Sequence, residues 1–437
     1  MTETSPTALP PERSSALEHP LPAGMRDLLP EESRTLSALG RELLRAFELH
    51  GYERVTLPVF EYAEVLERGL GELDPRAVLR FVEPESGEVV ALRPDMTPQI
   101  ARLVATRLRS VPGPARLCYE GSVVRLRRER ARRRRQIPQA GVELLGSAAP
   151  DGDFEVLEVA TTALRATGLD DFVLDLGHAR VAGALVELAP ASARTGLVEA
   201  LSLKDPAVLE RRARAAGLAG DVVRALVELS DLHGGDEVWS RAEKSLAGTP
   251  AEAALGELRS VWRWASERRL APRVSVDLGE VRDLGYYTGV TFQLLAEGPG
   301  APVAAGGRYD GLLAKFGAPR PAAGFAVALD DLIWALGARP AAAAPRVLVA
   351  GAAERAEPVI AALRSAGIAA ARALERPREH ARAWRYTHVA EVEHPSVRLH
   401  EVATGKDVEL AGGSDTGSKL AELVMAGGSK AGKSVRS

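Results

Sequence analysis

Residues 139–146 read QAGVELLG, and the alternation in this stretch decides the architecture. Side chains two apart share a face of an extended strand. Ala140, Val142 and Leu144 make one face apolar and suit a core. Gln139, Gly141 and Glu143 make the other. An amide and a carboxylate on one surface, with a glycine between them to leave room, suit either a solvated strand or the floor of a site for a small amino-bearing ligand.

Working outward, residues 116–126 read as a partner strand, joined to the first by an arginine-rich loop. Upstream, LRPDMTP (92–98) sets Asp95 and Thr97 at a helix start, with Thr97 as N-cap and Pro98 in the first turn. Ile100, Leu103, Val104 and Leu108 then share one helical face. Leu36, Leu39, Leu43 and Phe47 mark an earlier helix closed by Gly51, and Tyr52–Phe60 alternates like a strand. Downstream, Asp153–Thr167 reads as a helix and Phe172–Leu176 as a strand. From 179 to 272 Ala, Leu, Glu and Arg dominate and alternation vanishes, which predicts a helical insertion. Strand patterns return at Val274–Leu278 and Tyr287–Leu295, a Gly-rich turn is expected at 305–311, and 324–336 reads as a strand passing into a helix. The composition of 337–345 predicts a linker, that of 346–412 a small α/β domain, and those of 1–20 and 413–437 a flexible leader and a mobile tail.

The 437 residues, 46% hydrophobic and 26% charged, describe an ordinary globular chain of several domains. No run of about 18 apolar residues suits a membrane span, and the polar, Pro-rich start is unlike a signal peptide. A cytoplasmic protein is expected. The single cysteine, Cys118, excludes an internal disulfide. Eight scattered histidines offer no metal spacing, so no metal and no cofactor are expected. With 56 basic against 59 acidic residues, net charge gives no general case for nucleic-acid binding.

Several constellations carry chemistry. Asp95 and Thr97 read as a helix cap or as an amino-group site. The loop 125–135 holds eight arginines in eleven residues but no aromatic, which disfavours base stacking. LGYYTG (284–289) and AGGRYDG (305–311) bring Tyr286, Tyr287 and Tyr309 into a chain with 5% aromatics, which suits a pocket wall or core packing. GGSKAGKS (427–434) fits a phosphate-loop pattern, but three residues follow Ser434, too few for the helix that such a loop needs.

Taken in order, these segments resemble class II aminoacyl-tRNA synthetases of the histidine type over roughly residues 20–336. LPAGMRDLLP (21–30) is similar to the family's N-terminal signature and HGYERVTLPVFE (50–61) to its dimer-forming motif 1. RLCYEGSVVRL (116–126), the arginine loop and QAGVELLG together resemble motif 2. VRDLGYYTG (281–289) and AGGRYDG resemble the two histidine motifs, and GFAVALDDL (324–332) resembles motif 3. The resemblance implies an α+β fold: an antiparallel sheet flanked by helices over 21–178 and 273–336, interrupted by the helical insertion and followed by the C-terminal domain. It also implies a histidine pocket. Asp95 and Thr97 would hold the α-amino group, and Gln139 and Glu143 the amino and carboxylate end or the imidazole edge. Arg125 would meet carboxylate or phosphate, Arg282 matches the histidine-motif arginine, and Tyr286, Tyr287 and Tyr309 would enclose the ring.

The departures from the synthetase pattern fall on its ATP half. Asp331 stands where motif 3 carries its adenine-stacking arginine, and a carboxylate there repels a triphosphate. Leu126 and Arg127 follow Arg125 where His and Glu are usual, Gly285 replaces an Asp, and the C-terminal region is shorter than an anticodon-binding domain. This combination is similar to the non-catalytic synthetase paralogues that regulate ATP phosphoribosyltransferase, the first enzyme of histidine biosynthesis. That resemblance implies a short catalytic subunit as partner, histidine as feedback effector and self-association through motif 1. A histidine-tRNA ligase and a synthetase-like RNA-binding protein are the alternatives.

Overall fold

The computed structural model describes residues 21–70, 78–126, 134–281, 285–337 and 344–431. The chain divides into two compact units, Met1–Arg339 and Pro340–Ser437. Leader residues 1–20 and linker residues 338–343 lie outside the described part.

The first unit opens with α1 (Pro30–Leu49), started by Pro30 and burying Leu39, Leu43, Leu44 and Phe47 at helical spacing. Then come β1 (Glu53–Arg54), β2 (Phe60–Tyr62), α2 (Ala63–Leu70), β3 (Arg80–Val82), β4 (Val89–Leu92) and α3 (Thr97–Thr106). The expected strand at 52–60 is thus broken in two. Pro58, which has no N–H for a ladder bond, sits in the gap between β1 and β2. The long strands β5 (Ala115–Val124) and β6 (Gln136–Leu145) follow, then α4 (Asp151–Ala166) and β7 (Val173–His178). The next segment is α5 (Ala179–Val186), α6 (Ala191–Ser202), α7 (Pro206–Ala215), α8 (Gly220–Leu229), the two-residue β8 (His233–Gly234), α9 (Glu237–Leu246) and α10 (Glu252–Glu267). The unit closes with β9 (Arg273–Asp277), β10 (Val290–Leu295), β11 (Ala304–Arg308), β12 (Ala322–Ala328) and α11 (Leu329–Leu336).

Nine strands form one sheet in the order β1-β5-β6-β12-β11-β10-β7-β9-β8, antiparallel except at β1–β5 and β7–β9. One face carries Cys118, Ala140, Val142, Leu144, Leu176 and Phe325 into a core shared with Leu43 and Phe47 of α1 and Val156 and Ala160 of α4. Burying a side chain such as Leu43 or Phe47 contributes about 1.5–3 kcal/mol. The opposite face holds a row set by register: Leu117 opposite Glu143, then Gly324, Gly307, Thr291 and Gly177.

Close packing on both faces of β11 explains why the expected Gly-rich turn at 305–311 is instead partly strand. Gly306 and Gly307 lie inside β11, because a Cβ on Gly306 would stand 2.5 Å from the Phe325 side chain and one on Gly307 2.7 Å from the Val290 carbonyl. The strand expected from Tyr287 likewise begins only at Val290.

The second unit is β13 (Arg346–Gly351), α12 (Ala353–Ser365), β14 (Ala369–Arg372), α13 (Pro377–Ala383), β15 (His388–Val392), β16 (Ser396–Glu401), β17 (Asp407–Ala411) and α14 (Thr416–Ala431). Its sheet runs β14-β13-β15-β16-β17. The tail expected to be mobile from 413 is corrected by α14, whose Leu420, Ala421 and Val424 join Val359, Ile360 and Leu363 of α12 in the core. The composition of this segment suggested disorder, but the apolar spacing makes a helix. Its Gly417 serves close approach: a Cβ there would meet the Ala362 Cβ at 2.3 Å. Gly417→Val should therefore lower stability by about 1–3 kcal/mol in thermal unfolding. An unchanged transition would mean that α12 and α14 do not approach this closely. Residues 427–431 end α14, so the phosphate-loop pattern follows a helix rather than opening one. Among the described residues no helix is long and apolar enough to cross a membrane.

Candidate ligand pocket

The pocket begins with the turn before α3. The Asp95 carboxylate (Oδ1) accepts the Thr97 backbone N–H at 2.8 Å, holding the first helical N–H from just before the N-cap, Met96. Thr97, expected as N-cap, is instead the first helical residue. Its hydroxyl is freed for another partner and donates to Glu143 Oε1 at 2.7 Å.

Glu143 is the hub. It projects from the C-terminal half of β6 and is 1% exposed. Tyr119 donates to its Oε1 at 3.3 Å, and the Tyr309 hydroxyl donates to Oε2. Space for the carboxylate comes from Gly324 across the ladder, where a Cβ would stand 2.0 Å from Oε2. Gly141 also leaves room, but for the Tyr119 hydroxyl, 2.6 Å from where its Cβ would be. Burial pushes the Glu143 carboxyl up to about 8, although the Tyr309 and Thr97 hydrogen bonds favour its ionised form. Burial likewise holds the hydroxyls of Tyr119, Tyr286 and Tyr309 well above the ordinary tyrosine range, so they stay donors.

A second carboxylate sits beside the first. Tyr286 donates to Asp95 Oδ2 at 3.2 Å, and Arg125 Nη2 lies 3.9 Å from the same oxygen. Arg125 is itself held by its Nε–H donating to the Pro94 carbonyl at 2.6 Å. Tyr286 lies with its ring centre 4.8 Å from that of Tyr287 and meets Tyr309 edge-on at 5.5 Å. Gln139 shares the Glu143 face of β6 and is buried. The site thus joins Asp95, Thr97, Arg125, Gln139, Glu143, Tyr286, Tyr287 and Tyr309 on one face of the sheet. Arg282 lies outside the described residues.

The cluster holds two acidic groups, with one cation at its edge and hydroxyls as the remaining donors, a chemistry that suits a positively charged or N–H-bearing ligand. No group of three or more His, Cys, Asp or Glu able to hold a metal occurs among the described residues.

Two contributors escape a reading of β6 alone. Tyr119 comes from the facing strand, and register-pairing 116–126 with 139–145 around their loop would have placed it opposite Gly141. Arg308, inside the AGGRYDG motif, is 3% exposed and pairs with the buried Asp153 of α4 at 2.8 Å. Just after β12, Asp330 in the first turn of α11 bridges Arg26 at 3.1 Å and Arg134 at 2.9 Å. Asp331, beside it, is half-buried. Residues 127–133 of the arginine loop are outside the described part.

A family model described as histidyl-tRNA synthetase matches residues 24–332. An ATP phosphoribosyltransferase regulatory subunit from Anaeromyxobacter sp. (strain Fw109-5) is 49% identical over 323 residues, 73% of this chain and 94% of that relative. One of the same name from Moorella thermoacetica is 44% identical over 341 residues, 77% of this chain and 87% of the relative. A solved structure described as an ATP phosphoribosyltransferase regulatory subunit/histidyl-tRNA synthetase from Bacillus halodurans C superposes with a TM-score of 0.75 at 28% identity, covering 86% of this chain and 98% of that one. On identity and coverage together, the chain belongs to the family of ATP phosphoribosyltransferase regulatory subunits, built on the histidyl-tRNA synthetase fold.

Proposed function

We propose that this chain is the histidine-sensing, non-catalytic subunit of a cytoplasmic ATP phosphoribosyltransferase, activating a short catalytic subunit and inhibiting it when histidine fills the Glu143 pocket. The observation that carries this reading is the contrast between the residues kept for an amino acid and the residue that stands in place of a nucleotide-binding cation. The pocket keeps paired carboxylates, Asp95 and Glu143, under tyrosine hydroxyls. The motif 3 position carries Asp331 on α11, where a synthetase needs a planar cation.

Asp95 at the pocket edge suits the ligand's ammonium, Arg125 its carboxylate, and the tyrosine rings the imidazole plane. Feedback requires that histidine bind the low-activity assembly more tightly than the active one. The coupling is reciprocal, so substrates that favour the active assembly weaken histidine binding. Self-association through the region of α1 and β1 accompanies this role.

Calorimetric titration of the full chain with histidine, and separately with ATP and magnesium, tests the reading. Histidine should bind and ATP should not, and adding the chain to the short catalytic subunit should raise activity that histidine then lowers. Tight ATP binding with formation of histidyl-adenylate would instead establish a ligase.

A further inference from the structure

The AGGRYDG motif supplies Tyr309 to the pocket, but it also buries a charged side chain, the neighbouring Arg308, which faces away from Glu143. Its Nε donates to Asp153 Oδ1 at 2.8 Å, and its Nη1 to Asp310 Oδ1 at 2.9 Å and to the Ser147 carbonyl at 3.1 Å. Two glycines, one on α4 and one just before β10, make its slot. A Cβ on Gly289 would stand 2.9 Å from the Arg308 Cδ, and one on Gly152 2.7 Å from its Nη2.

The backbone around Arg308 ties the two tyrosine segments together. The Thr288 N–H donates to the Arg308 carbonyl at 2.8 Å. The Asp310 N–H returns to the Thr288 hydroxyl at 2.9 Å. Asp310 Oδ1 also accepts the Ala322 N–H at 2.9 Å, and Tyr309 N–H donates to the Ala322 carbonyl at 2.8 Å. Tyr286 and Tyr287 immediately precede Thr288, and Tyr309 immediately follows Arg308. The two tyrosine segments are therefore tied together at Arg308, whose guanidinium is anchored on α4 by Asp153 and also holds Asp310.

We infer that Arg308, clasped by Asp153, is the positioning residue of the pocket: it touches no ligand, but it fixes the Tyr309 hydroxyl on Glu143 and the Tyr286–Tyr287 pair against Tyr309. This rests on the reading of the pocket as a histidine site. Glu143 faces Thr97 from α3, Tyr119 from β5, Tyr309 from beyond β11, and the Asp95 carboxylate with Arg125 at its outer edge. Of these, Tyr309 is the donor that the clasp governs. Losing its hydrogen bond removes a group that favours the ionised carboxylate, so the pH midpoint of Glu143 moves upward.

The test compares Arg308→Lys, Tyr309→Phe and the double variant by calorimetry with histidine across pH 6 to 9. Each single variant should weaken binding roughly 5- to 30-fold and shift the midpoint of its pH profile upward. The double variant should be no weaker than the poorer single one, because both changes remove one interaction. Effects that add, or a lowered melting temperature with unchanged affinity and midpoint, would overturn the clasp.

If Arg308→Lys fails to fold, Thr288→Val cuts one tie at an exposed residue and should shift the midpoint in the same direction. No shift would again overturn the proposal. A wild-type chain that binds no histidine defeats the pocket reading alone. The clasp is then judged by the pH at which stability stops falling, which Tyr309→Phe and Arg308→Lys must both raise.

Discussion

Glu143→Gln should weaken histidine binding by at least about 30-fold, the loss expected when a buried, hydrogen-bonded ionisable group is replaced, and should remove the part of the pH dependence that Glu143 contributes. In the wild type the carboxyl is pushed up to about 8, so at neutral pH a cationic ligand must displace its proton. The Glu143 contribution to affinity should rise with pH up to about 8. The Gln variant has no proton to release.

The same group links stability to pH. Its folded-state pKa lies above the ordinary 4.5, so between 4.5 and about 8 the folded chain holds a proton that the unfolded chain has released. Stability therefore falls as pH rises through that window, by up to about 1.4 kcal/mol per pH unit. Denaturant titrations of wild type and Glu143→Gln at several pH values isolate the contribution as their difference. Parallel curves, with histidine affinity unchanged, would remove Glu143 from the pocket.

Asp153→Ala should cost about 3 kcal/mol in the same denaturant experiment at pH 7.5. Breaking a buried pair by deleting one partner leaves a desolvated charge behind, usually at about 3–5 kcal/mol. The lower end applies because Arg308 keeps the half-exposed Asp310 and the Ser147 carbonyl. Burial outweighs the attraction of Arg308 and pushes the Asp153 carboxyl up to about 6, so the carboxylate is largely charged at the test pH. A loss below about 1 kcal/mol would class the pair with surface bridges.

Much of the sheet was legible because its two faces differ. Ala140, Val142 and Leu144 alternate with Gln139, Gly141 and Glu143, and period 2 fixes which set reaches the core. Asp95, Thr97 and the three tyrosines were legible as chemistry, but their convergence was not, since it depends on pairing partners nearly 200 residues apart: Tyr286 donates to Asp95. The glycines of β11 misled for a definite reason. Glycine signals either a turn or a missing Cβ under a neighbour, and at Gly306 the neighbour is Phe325, identified only by register. Gly417 on α14 misled in the same way. Arg308 gave no signal of its own, because a buried arginine is read from its distant anchor.

Cys118 lies on the core face of β5 with no solvent exposure, and burial pushes its thiol up to about 11. It is the chain's one cysteine. A sealed, protonated thiol is a poor nucleophile, so the native chain is a silent background for thiol chemistry. A cysteine placed on any exposed position would be the sole target of a maleimide dye or spin label in the folded protein. Distances between the units, or between this chain and a bound partner, can thus be measured without first rebuilding the sheet around Cys118.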